Sequence, residues 1–193
     1  DRNNGSAEAP VATIAKAIQI ATAETGSGQI VIKEGTYKGT NYLITKDLEI
    51  VGEGNVVIDG EDAVLIDAGV YVNKVEEVLK MFTPKPVLRA VLLTHAHFDH
   101  IRELDNIIAK YKCQAYICKS GKPMLYKEDM NMSILDTPIK VKAKRDIKTF
   151  VDGANLEFGN LTFACFNTPG HSIDSSCYVV GDNMFTGDPV FKV

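Results

Sequence analysis

Tryptophan is absent from this chain, histidine occurs only four times and cysteine only four times. The cysteines are Cys113, Cys118, Cys165 and Cys177, and no two form a Cys-x-x-Cys pair. Each falls in or beside an apolar run, so they read as reduced core residues rather than as a metal or redox motif. No apolar run approaches the ~20 residues of a membrane span. No secretory signal is recognisable, and the chain starts at Asp1 rather than at methionine. A cytoplasmic location is the expectation. The net charge of −4 gives no general attraction to nucleic acid. Basic residues cluster locally at Lys140, Lys142, Lys144 and Arg145. Their alternation predicts the wet face of a strand, with a patch for an anionic substrate as the rival reading. Gly52-Glu53-Gly54 is too short a glycine pattern for a nucleotide site and reads as a turn.

Against that scarcity of histidine stands its concentration. His95, His97 and His100 lie together in Thr94-His95-Ala96-His97-Phe98-Asp99-His100, directly after the largely apolar run Val87 to Leu93. The fourth, His171, sits in Thr168-Pro169-Gly170-His171-Ser172. Neutral imidazole suits zinc, iron and similar metals, and a carboxylate can complete such a site. On a strand, the spacing of His95 and His97 puts both side chains on one face. On a loop that closes a strand, both nitrogens can converge on one ion. Asp99 and His100 then point elsewhere, which suits a second ion or an ion-bound water. The competing reading is a histidine-rich surface loop.

His95-x-His97-x-Asp99-His100 resembles the signature of metallo-β-lactamase-fold hydrolases, and three further motifs follow the order of that family. Ala63-Val64-Leu65-Ile66-Asp67-Ala68-Gly69 is similar to its early strand ending in Asp and Gly. Thr168 to Ser172 is similar to its second metal motif, and Phe185-Thr186-Gly187-Asp188 to its third. Asn131-Met132-Ser133 and Phe185 to Phe191 also fit the glyoxalase II-like group. The resemblance covers residues 61–193 and departs from the family in two places. Arg102-Glu103 stands where two glycines often follow the signature. Complete members also continue beyond the point equivalent to Val193 and carry a last histidine there, so the second site is expected to lack one ligand.

The resemblance implies an α/β chain with a partial αββα-type fold. It implies that His95, His97 and His171 hold a first ion, that Asp99 and His100 serve a second, and that Asp188 bridges them. Asp99 would also orient the attacking water, as the catalytic residue. Asp67 and Thr94 would hold ligand imidazoles by hydrogen bonds, or would simply end a strand. The implied cofactor is zinc, one or two ions, with iron or manganese as alternatives. The implied activity is hydrolysis of a small-molecule thioester or related ester, impaired by truncation. A lactonase, a nuclease and an iron persulfide dioxygenase are the competitors within the fold. No nucleic-acid or membrane partner is implied, while an oligomer partner completing the fold is.

Residues 1–60 have another character. Val11 to Glu24 places Val11, Ile14, Ala15, Ile18 and Ala21 at helical spacing. Gln29 to Lys33, Tyr42 to Ile44, Leu48 to Val51 and Val56 to Gly60 read as short strands punctuated by Gly35, Gly39, Gly52, Gly54 and Gly60. This pattern resembles the N-terminal cap and first turns of right-handed parallel β-helix proteins, with Ile30, Ile32, Leu48, Ile50 and Val57 facing one core. Asn41-Tyr42-Leu43-Ile44 is also similar to the opening strand of a metallo-β-lactamase domain, and the two readings compete. The boundary is expected at Gly60 to Glu61. A natural fusion, a gene fragment and an engineered chimera all fit this organisation. The alternative function is a non-enzymatic β-helix surface or binding module fused to an inactive metal-binding remnant, at the cell surface or secreted.

Downstream, the pattern predicts strands over Val64 to Asp67, Val87 to Thr94 and Ala115 to Cys118. It predicts helices over Val72 to Phe82 and Glu103 to Tyr111. Phe150, Leu156 to Phe158, Leu161 to Asn167 and Cys177 to Val180 then suggest a run of strands.

Overall fold

The computed structural model describes Ser6 and residues 11–21, 29–33, 35–38, 49–52, 56–59, 62–82 and 85–188. The chain divides into two compact units, Asp1–Glu61 with Leu79–Pro86, and Asp62–Val78 with Val87–Val193.

In the first unit, helix α1 (Ile14–Ala21) buries Ile14, Ile18 and Ala21, which share one face. Thr13 opens it as an N-cap, its Oγ1 accepting from the Lys16 N–H at 3.2 Å. Strand β1 (Gln29–Ile32) buries Ile30 and Ile32 and leaves Val31 exposed, the two-residue period of a half-covered strand. These five buried side chains form one core, with Ala17 and Phe82 packed against it. Strands β2 (Gly35–Lys38), β3 (Glu49–Gly52) and β4 (Val56–Asp59) complete the unit. β1 pairs in parallel with β3, with Gln29 opposite Glu49. β2 pairs in parallel with β4, with Gly35 opposite Val56. β2 has no counterpart among the strands expected from the sequence. Tyr42 to Ile44, Leu48 and the side chains of Ile50 and Val57 lie outside the described residues.

The second unit is built on two four-stranded sheets. β5 (Asp62–Ile66), β6 (Val87–Leu92), β7 (Gln114–Cys118) and β8 (Ile147–Phe150) run parallel in that order. β9 (Asn155–Phe158), β10 (Leu161–Asn167), β11 (Ser176–Val180) and β12 (Asn183–Phe185) form an antiparallel meander. Parallel neighbours need crossovers, and helices supply two of them. α2 (Val72–Lys80) follows β5, while α3 (Phe98–Ile101) and α4 (Leu104–Tyr111) follow β6. Ala90, Leu92, Cys118 and Phe150 of the parallel sheet pack with Phe158, Leu161, Phe163, Cys165, Tyr178 and Val180 of the other. Alternation turns Val91 to the opposite face, and it is as fully buried as the buried Leu104 and Ile107 of α4. All four cysteines are buried and free. Burial pushes the Cys165 thiol up to about 11, so it stays protonated and unreactive.

The basic run is not a strand. Lys140 to Ala143 is irregular, and Lys144 and Arg145 begin a turn into β8. The exposure pattern of its first half still alternates, with Val141 buried between exposed Lys140 and Lys142. The segment bonds sideways to a side chain rather than to a strand: the Asp105 carboxylate accepts from the N–H groups of Lys142 and Ala143 at 2.9–3.0 Å. Among the described residues no helix is long and apolar enough to cross a membrane.

Parallel strands all end on the same edge, and their loops open there. Asp67 follows β5, and Thr94 to His100 follow β6. From the other sheet, the β10–β11 connection brings His171, and the chain after β12 brings Asp188. Two bonds seam the sheets at this edge. The Ser176 N–H donates to the Thr94 carbonyl at 2.9 Å, and the Tyr178 hydroxyl to the Leu93 carbonyl at 2.5 Å.

Candidate metal centre

All six residues expected to hold metal meet at that edge. His97 Nδ1 lies 3.0 Å from His95 Nε2 and 2.9 Å from His171 Nε2, so three ring nitrogens converge on one small volume. His95, His100 and Asp188 form a second convergent set. His100 Nε2 is 3.4 Å from Asp188 Oδ1 and 3.5 Å from Asp99 Oδ2. The other oxygen of Asp188, Oδ2, lies 3.7 Å from His171 Nε2 and 4.0 Å from His95 Nε2. One carboxylate therefore faces both sets, an oxygen to each.

Asp67 organises the imidazoles. Its Oδ1 accepts from the Thr94 N–H at 2.7 Å. Its Oδ2 accepts from the Thr94 hydroxyl and from His100 Nδ1, both at 2.8 Å. Thr94 Oγ1 is also 3.1 Å from His95 Nδ1. A consistent proton order follows: His95 Nδ1–H donates to Thr94, and Thr94 and His100 donate to Asp67. With His100 in its neutral, metal-binding form, that order leaves Nε2 of both His95 and His100 as lone pairs aimed inward. Asp67 adopts φ 61°, unusual for a residue with a Cβ. The position holds because the carboxylate is fixed by three donors.

Asp188 is brought in by the residue before it. Gly187 has φ 59°, and a Cβ there would lie 2.5 Å from Thr94 Oγ1. Only glycine lets the backbone lie flat against Thr94 while turning Asp188 to the histidines.

Electrostatics separates the rings. Burial, then the neighbouring His100, His97 and His171, lowers His95 to about 3, so it is neutral over the whole physiological range. Burial and His171 also lower His97, against the pull of Asp174 and Asp99. His100 goes the other way. Burial alone would lower it, but the hydrogen bond to Asp67 and the charges of Asp67, Asp99 and Asp188 raise it to about 9.

The donor set fits a zinc-type ion. Three ring nitrogens facing one another at hydrogen-bond distance cannot all satisfy their lone pairs with each other's protons, and a shared cation satisfies them together. Three imidazoles leave a coordination position open, as in catalytic rather than structural zinc sites.

The proton order carries a prediction for metal-free protein. The folded state rejects protons that unfolded His95 and His97 accept below their ordinary 6.5, so stability falls as pH drops from 6.5. His100 is stabilised in its charged form, so its contribution is complete below 6.5 and is lost as pH rises through about 9. The melting temperature in chelator is expected to peak near neutrality. His100→Asn should remove the decline on the alkaline side, and an unchanged alkaline limb in that variant would contradict the assignment.

The sequence profile of the Metallo-beta-lactamase superfamily matches residues 52–193. The chain belongs to this superfamily. A probable metallo-hydrolase of Bacillus subtilis is 31% identical over 138 residues, 70% of this chain and 64% of its own length. A probable polyketide biosynthesis zinc-dependent hydrolase of the same organism is 28% identical over 134 residues, 69% of this chain and 52% of its own length. The chain thus spans about half to two thirds of the length of these two relatives. The crystal structure of the BLEG-1 B3 metallo-beta-lactamase aligns with TM-score 0.61 at 31% identity, over 68% of this chain and 64% of that one. TTHA1623 in a di-iron-bound form aligns with TM-score 0.55 at 26% identity, over 67% and 63%. The glyoxalase II-like likeness is more distant. A hydroxyacylglutathione hydrolase of Rhodopseudomonas palustris is 27% identical over 108 residues, 55% of this chain and 35% of its own length. The superfamily match begins upstream of residue 61 and takes in β4.

Proposed function

We propose that this chain is a metal-dependent hydrolase of thioester or related ester bonds. The observation that carries the reading is Asp188, one carboxylate set between two convergent donor groups, with an exposed carboxylate, Asp99, beside them. We assign His95, His97 and His171 to a first ion, His100 and Asp99 to a second, and Asp188 to both. The zinc-dependent relative supports zinc and the di-iron neighbour keeps iron open as an alternative; manganese remains a third candidate.

When bound, such an ion supplies Lewis acidity at the substrate carbonyl and lowers the pKa of a coordinated water. The protein supplies the rest. Asp67 and Thr94 fix the ring orientations of His95 and His100, so no reorganisation is needed during reaction. Asp99, 56% exposed on its side chain, accepts a hydrogen bond from the attacking water and orients it. The water oxygen adds to the carbonyl carbon, the carbon–sulfur bond breaks, and the thiolate leaves and takes up the proton. Val70 and Tyr71, just after the Asp67 turn, and Ile173, just after His171, are exposed apolar side chains on the same turns as the site. They offer contact to an apolar acyl group.

We read residues 1–60 as a turn of a parallel β-helix. Its support is the register: β1 meets β3 after 20 residues, and β2 meets β4 after 21. Both pairs then advance by nearly the same length of chain.

The test is to titrate apo-protein with zinc and assay a thioester, a lactone and a phosphodiester at each point. Thioester turnover that rises with zinc and vanishes in chelator is expected. Zinc binding with no turnover of any ester would favour a non-enzymatic module carrying an inactive site. Phosphodiester turnover alone would place the chain among nucleases.

A further inference from the structure

One carboxylate near the centre is buried without a cationic partner among the described residues. Asp174 is 0% exposed. Its Oδ1 accepts from the Ser172 hydroxyl at 2.7 Å, directly beside the ligand His171. Its Oδ2 is buried and, among the described residues, has no hydrogen-bond partner. No described lysine or arginine pairs with it. Carboxylates are almost never fully buried without such a partner, because losing hydration penalises the charge.

The protein keeps a space for it. A Cβ at Gly121 would lie 2.2 Å from Asp174 Oδ2 and 2.7 Å from Ile117 Cδ1, so glycine there leaves room for the carboxylate against an apolar wall. The turn that holds it is tightly bonded. Ser172 Oγ also meets Ser175 Oγ at 2.9 Å, and the Ser176 hydroxyl donates to the Asp174 carbonyl at 2.8 Å. A costly group retained in a dedicated slot calls for a compensating charge.

The first donor set lacks one. Its three imidazoles are neutral ligands, and among the acids of the described residues only Asp188, shared with the second set, touches it. A divalent ion held there would carry nearly all its charge into a half-buried site. Asp174 stands three residues after His171, and its bond to Ser172 ties it to the residue adjoining that ligand.

We propose that Asp174 is a positioning residue for the first metal site: its buried, otherwise unpaired charge stabilises a divalent cation held by His95, His97 and His171, and its bond to Ser172 sets the His171 turn. The inference rests on reading those three histidines as a metal site. Its signature is an opposition between two measurements. A group kept for folding stabilises the metal-free protein. A group kept for the ion destabilises the metal-free protein and strengthens metal binding.

The experiment uses the full chain and Asp174→Asn, which preserves shape and the acceptor for Ser172 while removing the charge. Melting of the metal-free proteins and zinc affinity against a competing chelator are measured on both. The expected result is a metal-free melting temperature equal to or above wild type, with zinc affinity reduced roughly 10–100-fold. Ser172→Ala, which keeps the charge and loses the bond, should weaken zinc less. Lower metal-free stability with unchanged zinc affinity, or no change in either, would overturn the proposal. Asp174→Ser, neutral and smaller, serves if the asparagine variant does not fold; failure of both to fold would assign Asp174 to folding and also overturn it. Wild-type protein that binds no zinc would refute the metal site itself, a distinct outcome.

Discussion

His97→Ala is expected to strip the first ion from the protein. His97 Nδ1 is the nitrogen that both His95 Nε2 and His171 Nε2 approach, so its loss leaves two imidazoles that no longer share a third. Two imidazoles and the Asp188 carboxylate shared with the second set are one nitrogen short of a three-histidine zinc site, and affinity falls accordingly. Metal content after dialysis should fall by about one equivalent per chain, with thioester turnover at the level of uncatalysed buffer. The fold should persist, because His97 lies on the loop after β6 and outside the sheet-to-sheet core. Elemental analysis and circular dichroism check both halves. Equal metal in variant and wild type would remove the three-histidine assignment.

Asp67→Asn is expected to damage the second set while leaving the backbone in place. Asparagine tolerates positive φ at least as well as aspartate, so the φ of 61° adds no new strain. The change is chemical. An amide nitrogen at the position of Oδ2 would face two donors, the Thr94 hydroxyl and His100 Nδ1–H. His100 must then shed that proton or move it to Nε2, the atom aimed at Asp99 and Asp188. Affinity for the second ion should fall roughly 10–100-fold. The first should weaken less, because His95 reaches Asp67 only through Thr94. Calorimetric titration with zinc resolves the two steps. Two unchanged steps would contradict the role given to Asp67.

These roles differ in how far the sequence shows them. The ligand-type residues are legible because their spacing is local: His95, His97, Asp99 and His100 sit within six residues after an apolar strand. Nothing local reveals that Asp67 Oδ2 serves Thr94 and His100 together, since that depends on β5 and β6 being parallel neighbours. Apart from β12, which has no counterpart among the expected strands, those of the second unit stand near the expected places because their apolar periods are clear. β2 escapes notice because Gly35-Thr36-Tyr37-Lys38 has little apolar character. α3 is also invisible, as a four-residue helix whose sequence is dominated by the metal motif. Lys140 to Arg145 misleads because alternating exposure also occurs in an extended segment tied to a side chain, here Asp105. Asp174 reads as an ordinary turn residue until Gly121, distant in the chain, is seen to make its slot.

X-ray absorption at the zinc edge, on this 193-residue chain loaded with one equivalent, tests the metal centre most directly. Three imidazole nitrogens and one further oxygen or nitrogen, at about 2.0–2.1 Å, are the expected ligands. A first shell containing sulfur, which would implicate the cysteines, or a shell of oxygen alone would contradict this assignment.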